Sequence, residues 1–108
     1  MSESHTNIID NLSISDFRNT LENNNGLVFI KFGATWCKPC KVIKSLVNGY
    51  FSTVPENVLC YDLDVDENMD LYGYMKKNRV THGIPVILCY VKGNLMPTRS
   101  FGDLRLKH

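Results

Sequence analysis

The sequence predicts one α/β domain built on a mixed β-sheet, and three observations carry that prediction. Short β-rich apolar runs alternate with stretches of helical periodicity, as they do where parallel strands are joined by crossover helices. A tight turn at Lys92-Gly93-Asn94 separates the last two runs and implies an antiparallel hairpin at one edge. With 108 residues the chain is long enough for one domain and hardly for two, so residues 1–108 are read as a single unit.

The elements follow in order. Asn7 to Asn11 reads as a short first strand. Ser13 or Ser15 offers a helix N-cap, and Phe17 and Leu21 recur at helical spacing until Asn23-Asn24-Asn25-Gly26 stops the helix. Leu27 to Phe32 is a β-rich run of the kind buried on both faces of a sheet. Val42, Ile43, Leu46, Val47 and Tyr50 then mark one face of a helix reaching about Phe51. Asn57 to Leu63 predicts a strand, and Asp66 to Asn78 a helix carrying Met69, Leu71, Tyr72 and Met75. Val86 to Val91 is the next strand, and the turn at Gly93 leads into a last one around Met96 to Phe101. The expected sheet is mostly parallel, with an antiparallel C-terminal hairpin and helices on its faces. A C-terminal helix is short or absent, since only Asp103 to Lys107 could form it.

Composition excludes several classes. A chain 44 % hydrophobic and 21 % charged is globular, neither disordered nor membrane-embedded. A net charge of +1 creates no general field for nucleic acid or an anionic membrane, so neither is expected as a partner. The opening MSESHTN lacks the basic start and apolar core of a signal peptide, and a cytoplasmic location is expected.

The chemistry concentrates in Trp36-Cys37-Lys38-Pro39-Cys40, which lies between an apolar run and a helical pattern. Two thiols at this spacing on a helix N-terminus can form and release a disulfide with little backbone movement, and the helix end favours thiolate. Without a secretory signal such a pair is redox-active or metal-binding rather than structural. Cys60 and Cys89 fall within apolar strands and are read as inert core residues.

Order and motif together resemble the thioredoxin family over roughly Asn7 to Gly102. The matching residues are Phe32, Ala34 to Lys41, Leu63-Asp64-Val65-Asp66, Gly83-Ile84-Pro85 and Lys92-Gly93. The resemblance implies the thioredoxin fold and a protein dithiol–disulfide oxidoreductase that needs no cofactor or metal. Its partners would be disulfide-containing proteins and a thioredoxin-reductase-like electron donor. It further implies that a cis bond precedes Pro85, that Pro85 packs beside the disulfide, and that the Ile84 backbone pairs with an extended substrate segment. In this reading Cys37 attacks as thiolate and Cys40, one turn further in and less exposed, resolves the mixed disulfide. Trp36 offers a flat docking surface or, alternatively, a core aromatic. Pro39 suits the first helical turn.

Lys38 stands where thioredoxins commonly carry Gly, and a cation beside Cys37 is expected to make the couple more oxidising. The alternative is a solvated side chain of little effect. Lys31 departs most sharply: the family places a buried Asp there with a Lys across the sheet, where this chain has Asp62. A swapped Lys31–Asp62 ion pair is therefore expected, with Asp62 or neutral Lys31 as a candidate proton relay for Cys40. The alternative is a Lys31 that reaches solvent. Ser45 replaces the family's helix-kinking Pro, so a straighter helix is expected. His82 precedes the Ile-Pro segment and is read as a surface residue; His5 and His108 carry no argument. A shortened C-terminus would leave a sheet face uncovered, consistent with a monomer or weak dimer. Two other functions stay open: a thioredoxin-fold binding module whose thiols are incidental, and a zinc site on Cys37 and Cys40.

Overall fold

A computed structural model describes residues 8–96. Its elements run β1 (Ile8–Ile9), α1 (Ile14–Asn23), β2 (Leu27–Gly33), α2 (Lys38–Phe51), β3 (Leu59–Asp64), α3 (Met69–Lys77), β4 (Val86–Val91) and β5 (Asn94–Leu95). The strands form one sheet in the order β1-β3-β2-β4-β5. Pairings β1/β3 and β2/β3 are parallel, while β2/β4 and β4/β5 are antiparallel.

The mixed sheet and the edge hairpin agree with the sequence reading, but the sheet is not mostly parallel. The sense changes at β2/β4, one strand earlier than expected. The 79–85 segment between α3 and β4 brings the chain back from the same end of the sheet, so β4 runs against β2. The run read as a last strand, Met96 to Phe101, lies almost wholly outside the described residues, as does any C-terminal helix; the described β5 is Asn94–Leu95.

Strand period places alternate β2 residues in two different cores. Val28, Ile30 and Phe32 face α1 and α3 and join Leu63, Leu71, Met75 and Leu88 in the larger cluster. Each such side chain removed from water contributes about 1.5–3 kcal/mol. Phe29 faces α2, where Val47, Phe51, Val58 and Cys60 form a second cluster. Lys31 and Gly33 continue that face toward the start of α2.

Ser13 caps α1 by accepting a hydrogen bond from the Asp16 N–H at 3.1 Å, so it is the cap of the two candidates. The helix α2 runs unbroken from Lys38 through Ser45 to Phe51. Its apolar arc is wider than the sheet can cover. Ile43, Val47 and Phe51 pack inward, whereas Val42 and Leu46 are 81 % and 74 % exposed and Tyr50 is also exposed, so the five residues read as one face split in two.

The Lys92-Gly93 turn between β4 and β5 has φ of 52° and 81°, the left-handed values of a two-residue hairpin turn matched to strand twist. A Cβ on Gly93 would stand 2.6 Å from the Leu21 carbonyl oxygen of α1. Gly93→Ala is therefore expected to cost roughly 2 kcal/mol, from left-handed strain plus displacement of the hairpin. A lowered urea midpoint at unchanged slope checks this; an unshifted midpoint refutes it.

Candidate active site

Cys37 is the N-cap of α2, with Lys38 and Pro39 opening the helix. Its Sγ accepts a hydrogen bond from the Cys40 N–H at 3.3 Å, one of the N–H groups left without an intrahelical partner. Cys37 and Cys40 are joined as a disulfide with Cα atoms 5.3 Å apart. On reduction, charge on the Cys37 sulfur would sit at the positive end of the helix with an N–H already aimed at it. The two cysteines are almost equally buried, 6 % and 5 % exposed, so the expected contrast in exposure is absent. Position at the cap distinguishes them instead.

Trp36 is 66 % exposed, which excludes the core-aromatic reading. Its Nε1–H donates to Asp66 Oδ2 at 2.8 Å, holding the ring in place beside the disulfide. The Asp66 N–H in turn donates to Asp64 Oδ1 at 2.8 Å. The sequence reading missed the residue that anchors this turn. Asn68 is buried, accepts from the Leu12 N–H, and donates to the Asp10 and Asp64 carbonyls. It thus ties the β1–α1 and β3–α3 connections together beneath Trp36's anchor. The only sequence signal was an Asn at the mouth of a helix, which ordinarily reads as a cap; here its side chain makes no cap bond to α3.

Lys31 and Asp62 are register partners on β2 and β3, and Lys31 Nζ lies 3.3 Å from Asp62 Oδ1. Their side chains are 4 % and 23 % exposed, so Lys31 does not reach solvent. Both line a cavity of about 380 Å³ under the start of α2, and Cys40 lines it too. The expected ion pair is therefore formed, and the fold brings it to the Cys40 side of the disulfide.

The peptide bond between Ile84 and Pro85 is cis. Ile84 packs against the cluster containing Cys37 and Cys40, and Thr81, buried behind it, donates to the Gly83 carbonyl at 3.2 Å. Lys38, Pro39 and His82 are exposed. Cys60 and Cys89 are free thiols on β3 and β4, Cys60 buried in the core and Cys89 only half-buried rather than in the core as expected; burial pushes Cys60 up to about 11, which disfavours its thiolate near neutrality, and pushes Cys89 upward. Among the described residues no group of three or more His, Cys, Asp or Glu side chains is placed to hold a metal ion. No helix among them is long and apolar enough to cross a membrane.

The thioredoxin family model matches residues 8–106. The chain belongs to the thioredoxin family. It is 34 % identical over 90 residues to thioredoxin-2 of Saccharomyces cerevisiae, covering 83 % of this chain and 81 % of that one. It is 28 % identical over 102 residues to the thioredoxin of Pseudomonas aeruginosa, covering 92 % and 84 %. Among solved structures, thioredoxin from Fasciola hepatica superimposes with a TM-score of 0.68 at 26 % identity, covering 92 % of this chain and 95 % of that one. Thioredoxin from Trypanosoma brucei brucei gives 0.71 at 24 % identity, covering 99 % and 93 %, and shows the shared fold. Family and cysteine pair together make this thioredoxin-family chain a protein dithiol–disulfide oxidoreductase.

Proposed function

We propose that the protein acts as a reductase of disulfides in other proteins, with Cys37 as attacking thiolate and Cys40 as resolving thiol. The observation that carries the assignment of roles is the Cys40 N–H directed at Cys37 Sγ on the α2 cap. A Cys37 thiolate attacks one sulfur of the target disulfide and the other sulfur leaves as thiolate. Cys40 then attacks Cys37 Sγ, the target departs reduced, and the Cys37–Cys40 disulfide is left for an electron donor of thioredoxin-reductase type.

Trp36, Lys38, Pro39, Ile84 and Pro85 form the substrate surface in this reading, with Trp36 fixed by Asp66 as a rigid apolar platform. The exposed Lys38 beside Cys37 favours the thiolate and raises the potential of the couple. The Lys31–Asp62 pair, on the Cys40 side, handles the proton that Cys40 gives up when it attacks. The free thiols Cys60 and Cys89 suit a reducing compartment such as the cytoplasm.

A Cys40→Ser variant tests the roles. Mixed with insulin, it should accumulate a covalent adduct on Cys37, because attack proceeds and resolution does not. No adduct, or one that forms instead in Cys37→Ser, would reverse or abolish the assignment. A binding module with incidental thiols would give none.

A further inference from the structure

Three polar or charged residues are buried among the described residues: Lys31, Asn68 and Thr81. Lys31 has its ion pair, and Asn68 ties two connections together. Thr81 is the one whose polar group has no part in the reaction described above.

Thr81 lies in the segment that brings the chain from α3 to β4, at the end of the sheet where β2 leads into α2. The segment is fastened at both ends. Arg79, at a φ of 60°, and Val80 donate their N–H groups to the Lys76 and Met75 carbonyls, and Val86 pairs with Phe32 on β2. Between these points residues 81–85 make no backbone–backbone hydrogen bond among the described residues. The bond that orders them is that of the Thr81 hydroxyl, 3.2 Å from the Gly83 carbonyl oxygen. A carbonyl only accepts, so the hydroxyl is the donor.

That bond sets the direction of a peptide group. The Gly83–Ile84 peptide is trans, so its C=O and N–H point in opposite directions. The Gly83 carbonyl is turned toward the buried Thr81 side chain, and the Ile84 N–H is therefore turned away from it. Ile84 packs against the cluster that contains Cys37 and Cys40, and its N–H has no partner among the described residues. A free N–H beside the disulfide is what an extended segment needs to pair through its own backbone.

We propose that Thr81 is a positioning residue for protein substrates. Its hydroxyl holds the Gly83 carbonyl and so presents the Ile84 N–H to the backbone of the segment that carries the target disulfide. The proposal rests on the reading of the Cys37–Cys40 pair as a reductase of protein disulfides. Thr81 supplies no group to the exchange itself. It acts on substrates that have a backbone to pair, and a small-molecule thiol has none. A donor already aimed costs less ordering on binding than a peptide free to rotate.

Two variants test this. Thr81→Val removes the hydroxyl and keeps the branched shape, whereas Thr81→Ser keeps the hydroxyl and removes a methyl. Insulin reduction at limiting substrate should fall about fivefold in Thr81→Val, the worth of one neutral hydrogen bond, and through KM more than kcat. Thr81→Ser should retain most of the activity. Reduction of each oxidised variant by dithiothreitol, followed by alkylation of the freed thiols, should match the unmodified chain. A packing role predicts the reverse order, because the methyl lost in Thr81→Ser leaves a void and valine leaves none. Full activity in Thr81→Val, a serine variant worse than the valine one, or an equal loss with dithiothreitol overturns the proposal. Insulin reduction by the unmodified chain reports on the reductase reading itself, so the two failures are distinguishable.

Discussion

Cys37→Ser is expected to bring insulin reduction down to the rate of the reductant in solution while the chain remains folded. The two halves of that result have separate causes. Serine has no thiolate, so the bond to the target sulfur cannot form. Serine is also among the best N-cap residues, and its Oγ can accept the Cys40 N–H that Cys37 Sγ accepts now. Helix α2 therefore keeps its start. Relative to the oxidised protein the variant should lose roughly 2 kcal/mol, the chain entropy restored when so short a loop is opened. Relative to the reduced protein it should lose almost nothing. Comparing both by urea unfolding separates lost chemistry from lost structure. Residual activity well above the reductant alone would mean that another thiol performs the attack.

Asp62→Asn is expected to be the most destabilising conservative change at the site, at about 3 kcal/mol, because it leaves the Lys31 ammonium buried without a counter-charge. The reverse change, Lys31→Met, should cost less, since the Asp62 side chain is 23 % exposed and keeps access to water. Replacing both, as Lys31→Met with Asp62→Leu, should recover most of the loss, because the penalty belongs to the unpaired charge rather than to the missing pair. Chemical denaturation of the three variants orders these costs, and an Asp62→Asn loss under about 1 kcal/mol would reduce the pair to a surface contact. The same variant tests the proton role. Its pH–rate profile for resolution should shift if Asp62 or Lys31 exchanges the Cys40 proton, whereas an unchanged profile removes the relay and leaves a structural pair.

Much of this site was legible in the chain before folding. The pair Cys37 and Cys40 is local, and so are Pro39 in the first turn and Trp36 before it; a few residues of sequence carry both the chemistry and its helix end. The Lys31–Asp62 pair was legible through the resemblance, which implies opposite charges at these two strand positions, and a charge inside the sheet needs such a partner. Other features were not legible. The exposure of Val42 and Leu46 depends on how much of α2 the sheet covers, which helical periodicity cannot report. The bonds of Asn68 join segments more than fifty residues apart, and no local pattern announces them.

The sequence by itself determined most of the elements and the cysteine pair, because these follow from short-range periodicity, capping and spacing, and its resemblance to thioredoxin supplied the class of chemistry. The tertiary structure decided the rest. It set β4 antiparallel to β2, fixed Trp36 through Asp66, and placed Lys31 and Asp62 on a cavity that Cys40 also lines. Those properties depend on which distant residues come into contact, and burial, pairing and access exist only once they have.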